Sequence, residues 1–261
     1  MPPRGSERPA APPRILAPRR GNRALVLGHR GASADAPENT LAAFRLAVDQ
    51  GADGVELDVW RCASGEVVVI HDEDTRRTAG EVLAVPDTPW PALRALEVGA
   101  WKGDRFRGER IPLLAEVLEA LPGALINVEL KGRGRDRRLA EAAARVIRRA
   151  GAADRVIASS FHVKLLAAFR RSAPEVTRGF LFEESRMWRL RAALSARWLR
   201  AQALHPEARL VTPLQASRWQ REGLAIVAWT VDDAAEVRRL EALGTSALIS
   251  NVPGAVVRLL G

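Results

Sequence analysis

Short apolar runs rich in Val, Ile and Leu alternate along this chain with longer segments in which apolar residues recur every three or four positions. Short runs of this kind are typical of strands that are buried on both faces. They predict nine strands, at residues 24–29, 54–60, 67–71, 124–130, 155–160, 177–182, 201–204, 224–230 and 246–250.

The longer segments predict amphipathic helices between the strands. The first of them begins at Asn39-Thr40, which can cap a helix, and ends before Gly51. Strands that alternate with helices indicate a parallel sheet, because parallel neighbours need a crossover connection. The predicted helices lie at residues 39–50, 112–121, 136–150, 162–172, 186–200, 212–222 and 232–242.

The number of these units and the length of 261 residues fit a single α/β domain. We predict a (β/α)8 TIM-type barrel, which typically takes ~250 residues, over residues 21–261. A doubly wound sheet is the alternative. It is disfavoured because the segment after the first strand, residues 28–31, lacks the Gly-rich pattern that holds a dinucleotide phosphate.

Nine strand candidates compete for the eight places of such a barrel, so one must be peripheral or wrong. Residues 201–204 have the weakest pattern. Residues 61–66 are too few for a crossover helix. Parallel pairing of 54–60 with 67–71 would therefore need an extended connection without a helix. A plain hairpin is expected to place His71 at the opposite end of the barrel from Asp58.

The longest irregular stretch is 80–111, which contains three prolines. Because functional loops lie at the carboxyl ends of the strands of such barrels, we expect this stretch above that face, as a candidate substrate lid.

The first 20 residues are rich in Pro and Arg and are expected to form a disordered tail. They lack the apolar core of a signal peptide, and no window of the chain approaches the roughly 18 apolar residues of a membrane span. Cys62 is the single cysteine, so no intrachain disulfide can form. A cytoplasmic location is expected.

The formal net charge of +9 favours an anionic partner: a phosphate ester, a nucleic acid or an anionic membrane surface. Nucleic acid is disfavoured, because the chain has no Tyr and its 7 Trp and 6 Phe lie mostly in apolar contexts. A small phosphodiester is the expected partner. The sequence leaves the oligomeric state open.

Three carboxylates end predicted strands. Glu56 and Asp58 are two residues apart and therefore point to the same face of one strand, and Glu129 ends another strand. Carboxylates that lie a few ångströms apart repel one another unless a proton or a cation lies between them. Oxygen ligands alone favour a hard divalent cation, so we predict a site for Mg²⁺ or Ca²⁺.

Two imidazoles also lie at strand exits, in His29-Arg30 and in His71-Asp72. Imidazoles beside a metal-bound phosphate can serve as general base and general acid near neutral pH. Arg30 and Lys131 can hold phosphate oxygens as charge develops. The other two histidines, at 162 and 205, have weaker context and are predicted to be structural.

These motifs together resemble the glycerophosphodiester phosphodiesterase family, over about residues 24–253. The shared pattern is His-Arg-Gly-Ala, Pro-Glu-Asn-Thr, Gly-Ala-Asp-x-Val-Glu-x-Asp-Val, His-Asp, Arg-Thr, Glu-x-Lys, Ser-Ser-Phe and Trp-Thr-Val, at residues 29–32, 37–40, 51–59, 71–72, 77–78, 129–131, 159–161 and 229–231.

The resemblance implies a metal-dependent hydrolase that releases sn-glycerol 3-phosphate and an alcohol from glycerophosphodiesters, in glycerophospholipid catabolism. It places the metal on Glu56, Asp58 and Glu129 and the acid–base chemistry on His29 and His71. The substrate-binding positions that it implies are Arg30, Asn39, Lys131 and Trp229. It does not decide which histidine is the base, nor whether water attacks directly.

Two alternatives remain open. In a lysophospholipase D-type hydrolase the same chemistry would act on an acylated substrate, and the basic, Trp-containing residues 185–200 would make a weak membrane-surface contact. In a non-catalytic barrel the site would only bind a phosphodiester.

The family commonly has acids where this chain has Ser246 and Asn251, which leaves the polar contacts of the last strand open. Nothing in the sequence marks a pocket for one alcohol group.

Overall fold

The computed structural model describes residues 13–17, 23–132, 136–184 and 195–261. Eight parallel strands close into a barrel, because the first and second strands pair with each other as well as with their other neighbours. This confirms the predicted fold. The strands are β1 Leu25–His29, β2 Gly54–Arg61, β3 Val67–Val69, β4 Leu125–Leu130, β5 Val156–Ser160, β6 Thr177–Phe182, β7 Ala203–Pro206, β8 Ala225–Ala228 and β9 Ala247–Ser250.

Both faces of the barrel strands are buried, which explains their nearly continuous apolar runs. In β1, Leu25 and Leu27 point into the barrel and pack with other interior side chains. Val26, between them, packs in the layer between the sheet and the surrounding helices. A barrel filled in this way has a solid interior, so a ligand can bind only at its mouth.

The peripheral strand among the nine candidates is β3. It pairs antiparallel with β2 and lies outside the closed barrel. The weakest candidate, at 201–204, is instead a barrel strand, shifted to 203–206 and paired parallel with β6 and β8. His205 and Pro206 interrupt its apolar pattern, although both are buried.

The β2–β3 connection is the hairpin that we expected to misplace His71, and that expectation is wrong. β2 continues beyond the barrel rim, where Val59 to Arg61 pair with β3. The chain then returns over only a few residues, and the amide of Ile70 donates to the carbonyl oxygen of Asp58 at 3.0 Å. His71 therefore returns to the level of the rim.

The described helices lie mostly where the sequence places them. They are α1 Leu41–Asp49, α2 Arg76–Ala79, α3 Trp90–Ala95, α4 Leu114–Ala120, α5 Arg137–Arg149, α6 Val163–Ser172, α7 Pro213–Arg221, α8 Ala234–Ala242 and α9 Pro253–Leu260. Thr40 caps α1 by accepting from the amide of Ala43. Most of the predicted helix 186–200 lies outside the described residues, and its described end, 195–199, is helical.

The stretch 80–111 is less irregular than predicted. It contains α3 and three 3₁₀ turns, and its apolar residues Val85, Leu93 and Ile111 pack on the side chains of the β2–β3 hairpin. Lys102 Nζ donates to the carbonyl oxygen of Ser33 at 2.7 Å, in the loop after β1. The stretch is therefore a small packed layer beside the rim.

Part of the predicted tail is packed on the barrel. Residues Arg14–Leu16 form a 3₁₀ turn, and Leu16 is fully buried among side chains of the barrel interior, including Leu25 and Ala247 near the amino ends of their strands. Disorder up to residue 20 is therefore wrong for this turn, whereas residues 1–12 and 18–20 lie outside the described part. Within the described residues, no helix has the length and apolar character needed to cross a bilayer.

Candidate active site at the carboxyl ends of the strands

A pocket of about 340 Å³ opens where the barrel strands end. Seven of the nine predicted site residues line it, and the remaining two, Asn39 and Asp58, lie behind them. None of its lining residues comes from 80–111, so that stretch is not a lid in this structure. The lining residues are His29, Arg30, Glu56, His71, Asn127, Glu129, Lys131, Phe161, Leu181, Glu183, Trp229, Thr230 and Ile249.

The parallel register brings the three predicted acids together. Asp58 of β2 lies opposite Glu129 of β4, and Glu56 lies one inward-facing position below Asp58. One carboxylate oxygen of each lies within 4.8 Å of the others, and all three side chains are buried. Sheet register therefore builds the cluster from residues 71 positions apart.

The acids carry more negative charge than their surroundings compensate. Burial, with Asp58 next in importance, raises the pKa of Glu56 well above its usual range. Burial also raises the pKa of Glu129 to about 7 against the opposing effect of Lys131. For Asp58 burial acts in the same direction, but Lys131 and Arg30 outweigh it and hold the pKa of that carboxyl well below its usual range.

Two cations lie against the same cluster. Lys131 Nζ lies 3.0 Å from Asp58 Oδ1 and 2.8 Å from Glu129 Oε1. Arg30 Nε lies 3.4 Å from Asp58 Oδ2, and its backbone amide donates to Glu56 Oε2 at 3.1 Å. These two cations lower the pKa values of Glu56 and Glu129, but burial outweighs them and both values stay raised.

The donor set fits a hard divalent cation. It consists of carboxylate oxygens alone, and the raised pKa values of two of the acids show that added positive charge would be stabilised there. The residues that would hold the cation are Glu56, Asp58 and Glu129.

His29 lies beside the acid cluster, with Nε2 3.9 Å from Glu56 Oε2. Its Nδ1 donates to Asn251 Oδ1 at 2.7 Å, and Ser33 Oγ donates to the same oxygen. Asn251 Nδ2 in turn donates to Asp232 Oδ2 at 2.6 Å, which fixes the orientation of the amide. The Nε2 atom of His29 is therefore the nitrogen that faces the acids.

His71 is held by a charged network. Its Nδ1 donates to Asp72 Oδ1 at 2.6 Å, and Asp72 accepts from Arg77 Nε at 2.7 Å. Arg77 also pairs with Glu38, which pairs with Arg30 at 2.9 Å. The network links the segments that carry the two imidazoles, so Glu38, which the sequence did not single out as a site residue, helps to position the site.

Burial is the main cause that lowers the pKa of both His29 and His71, and it outweighs the opposing effect of Asp58. Burial therefore favours the neutral form of each ring, with its proton on Nδ1 and with Nε2 as the atom that can accept a proton.

Asn39, which the sequence predicts to bind substrate, lies buried against Asp58. It is 4% exposed, its Nδ2 donates to Asp58 Oδ2 at 2.8 Å, and its Oδ1 accepts from the Asp58 amide at 3.3 Å. Its φ of 57° and that of Arg30, 55°, lie in the left-handed region that few side chains adopt. This loop turns Asn39 onto Asp58, where its amide contacts both the side chain and the backbone of that residue.

The wall opposite the acids was largely missed by the sequence. Trp229 was predicted, and its ring packs edge-on against Phe161 with centroids 5.6 Å apart. Leu181 and Glu183, two residues apart at the end of β6, complete this wall. Glu183 follows a strand with no recognisable motif, so only the alternation of inward positions along β6 could have indicated it.

The two remaining histidines lie outside the pocket, as predicted. His162 is exposed before α6. His205 is fully buried on β7, and neither ring nitrogen has a hydrogen-bond partner among the described residues. Its ring lies against Gly179, where a Cβ atom would come within 2.1 Å of Nε2.

Both the sequence and the fold of this chain are similar to those of known proteins. The model of the glycerophosphoryl diester phosphodiesterase family matches residues 29–255. A glycerophosphodiester phosphodiesterase of Caldanaerobacter subterraneus subsp. tengcongensis is 34% identical over 243 residues, which cover 90% of this chain and 97% of that protein.

Among solved structures, an Oleispira antarctica phosphodiesterase in complex with the product sn-glycerol-3-phosphate has a TM-score of 0.84 and 30% identity, covering 91% of this chain and 96% of that one. A human lysophospholipase D is 38% identical over 127 residues, 46% of this chain and 40% of that protein. The long match to the family model and the nearly full-length relative show that the chain belongs to the glycerophosphoryl diester phosphodiesterase family and is a phosphodiester hydrolase.

Proposed function

We propose that this hydrolase cleaves glycerophosphodiesters to sn-glycerol 3-phosphate and an alcohol, and that it depends on a divalent cation. The observation that carries the proposal is the convergence of Glu56, Asp58 and Glu129 with two imidazoles and two cations at one pocket. The similar Oleispira phosphodiesterase, which holds sn-glycerol-3-phosphate as its product, supports the glycerophosphate half of the substrate.

The metal is Mg²⁺ or Ca²⁺ in this proposal, because both prefer oxygen ligands. When bound, such a cation polarises a phosphoryl oxygen and offsets its charge. Lys131 and Arg30 lie at the same cluster, where they bind the remaining phosphate oxygens and hold the diester in place. Trp229, on the opposite wall, contacts the carbon skeleton of the substrate.

The two imidazoles share the proton transfers. One accepts a proton from the attacking hydroxyl, and the other donates a proton to the oxygen of the departing alcohol. Asn251 on His29 and Asp72 on His71 occupy the Nδ1 atoms, so that each ring uses Nε2 for this exchange. The ring that acts as the base accepts the proton at an unprotonated Nε2, whereas the ring that acts as the acid must first take up a proton at Nε2, which an imidazole can do near neutral pH.

The proposal places the protein in the cytoplasm with a small phosphodiester as its partner and no nucleic acid. A weak contact with a membrane surface is a secondary part of this proposal. Trp198 is 57% exposed beside Arg197 and Arg200, in the described end of the basic segment 185–200.

A lysophospholipase D-type activity is the second candidate. The partial match to a human lysophospholipase D and the exposed Trp198 favour it. The pocket volume of about 340 Å³ is at the lower end for small-molecule sites, which favours a deacylated diester. Lysophosphatidylcholine as a substrate beside glycerophosphocholine separates the two candidates.

The decisive experiment measures release of sn-glycerol 3-phosphate from glycerophosphocholine after exhaustive chelation and after addition of Mg²⁺ or Ca²⁺. We expect chelation to abolish turnover and one of the cations to restore it. Glu129→Gln should lower kcat by at least about 10²-fold, or roughly 2.7 kcal/mol, and should abolish the thermal shift produced by the cation. Glu119→Gln, the same change at an exposed position of α4, is the matched control. Full turnover in the chelated protein contradicts the proposal.

A further inference from the structure

The pocket has two chemically different halves. The strands β1, β2 and β4 are neighbours in the barrel, and their ends, together with His71 after β3, carry the acids, imidazoles and cations. The other half is formed by the ends of β5, β6, β8 and β9, with Phe161, Leu181, Trp229 and Ile249 as apolar lining. The phosphate-binding groups therefore all lie on one side, and the opposite side meets a different part of the substrate.

This second half contains one carboxylate, that of Glu183. It lies two residues after Leu181, where β6 has ended, and it is exposed to solvent in the pocket. Arg209, whose pKa is raised in part by the charge of Glu183, pairs directly with two other acids: its Nη1 lies 2.9 Å from Glu184, and its Nε lies 2.6 Å from Glu207. Among the described residues Glu183 makes no salt bridge, and its exposed side chain lines the pocket.

A carboxylate is unexpected on the wall of a pocket that binds an anionic substrate. The phosphodiester carries a negative charge, and a second negative charge on the wall opposes binding of any substrate whose alcohol is neutral or anionic. The same carboxylate attracts a substrate whose alcohol carries a positive charge. A carboxylate at this position would therefore distinguish alcohols by their charge.

The neighbouring rings have the matching chemistry. Phe161 and Trp229 meet edge-to-face with centroids 5.6 Å apart, and both line the same half of the pocket as Glu183. Aromatic faces attract ammonium groups, above all quaternary ones, and Trp is the most effective ring. Trp229 Nε1 donates to the carbonyl oxygen of His205 at 2.8 Å, which fixes the indole in position.

We propose that Glu183, Phe161 and Trp229 form a subsite for a cationic amino-alcohol, so that the enzyme prefers phosphodiesters of choline or ethanolamine over those of neutral polyols. The subsite rests on the proposed function for its substrate class. The cationic group is shared by glycerophosphocholine and lysophosphatidylcholine, and the volume of the pocket favours the deacylated ester.

The test compares kcat/KM for glycerophosphocholine, glycerophosphoethanolamine, lysophosphatidylcholine and the neutral-alcohol ester glycerophosphoglycerol. Glu183→Gln keeps the shape of the side chain and removes its charge. We expect it to lower kcat/KM for glycerophosphocholine about tenfold through KM, and to leave glycerophosphoglycerol within about twofold. Glu184→Gln, the neighbouring acid outside the pocket lining, should change neither value by more than about twofold.

Equal losses for both esters in Glu183→Gln would assign the residue a structural role and overturn the subsite, as would an unchanged value for glycerophosphocholine. Faster turnover of lysophosphatidylcholine than of glycerophosphocholine, with the same sensitivity to Glu183→Gln, keeps the subsite and reassigns the substrate to the acylated ester.

A binding measurement separates this proposal from the proposed function. In the inactive double variant His29→Ala/His71→Ala, titration calorimetry with Mg²⁺ or Ca²⁺ present reads the Kd of each ester without turnover. Tighter binding of glycerophosphocholine than of glycerophosphoglycerol, lost on adding Glu183→Gln, supports the subsite even if no ester is hydrolysed. Equal Kd values for the two esters contradict it even if both are hydrolysed.

Discussion

At the scale of single residues, His29 and His71 are each held through Nδ1, but by partners of different charge. Asp72, the partner of His71, follows it directly in the sequence. Asn251, the partner of His29, lies 222 residues away. The first pair could be recognised in the sequence, whereas the second depends on β9 lying beside β1 in the closed barrel.

Replacement of either imidazole should remove catalysis and leave the fold intact. We expect His29→Ala and His71→Ala each to lower kcat by at least about 10²-fold, as is usual for loss of a general acid or base. His162→Ala, at an exposed position outside the pocket, should retain kcat within about threefold. Steady-state kinetics with circular dichroism of each variant checks this, and a comparable loss in His162→Ala would contradict the assignment.

At the scale of elements, the turn Arg14–Leu16 contributes to the barrel although its sequence resembles the tail around it. Leu16 is fully buried among interior side chains. The turn is only three residues long, and its two apolar residues show no periodicity that separates a packed turn from a disordered one. Only the arrangement of the strands creates the apolar surface that Leu16 covers.

Truncation of this side chain should therefore destabilise the protein. We expect Leu16→Ala to lower the free energy of unfolding by about 2–5 kcal/mol, the range for large-to-small changes in a core. Leu214→Ala, at a position that is 71% exposed, is the matched control and should change it by less than about 0.5 kcal/mol. Urea denaturation measures both, and similar values for the two variants would show that Leu16 is not packed in solution.

At the scale of the whole molecule, a neutral imidazole inside the barrel couples global stability to pH. Burial lowers the pKa of His205 to about 3. Between this value and the unfolded value of ~6.5, the unfolded chain binds a proton that the folded protein excludes. The free energy of unfolding therefore falls as the pH is lowered through this window.

The variant His205→Leu should remove this contribution. We expect its stability relative to wild type to improve by up to about 3 kcal/mol between pH 7 and pH 4, because each unit of pKa difference corresponds to ~1.4 kcal/mol. Urea denaturation at a series of pH values measures the difference, and His162→Leu is the control. An unchanged difference across this range would mean that His205 titrates normally in the folded protein.

The sequence by itself determined the barrel and the residues that we propose for its site. Strands buried on both faces read as continuous apolar runs, and polar residues at their ends were therefore conspicuous, as with Glu56, Asp58 and Glu129. Residues two apart on a strand share a face, and this can be inferred from the local sequence alone. The three acids and both imidazoles could be identified before any long-range contact was known.

The tertiary structure decided what depends on pairing between distant segments. It made 203–206 a barrel strand and 67–69 a peripheral one, because burial by neighbours can override a weak pattern. It turned Asn39 onto Asp58 and brought Asn251 to His29. Closure of the barrel also placed Glu183 in the same pocket as two aromatic rings, which no spacing along the chain could indicate, because the order of the strands brings these residues to one pocket.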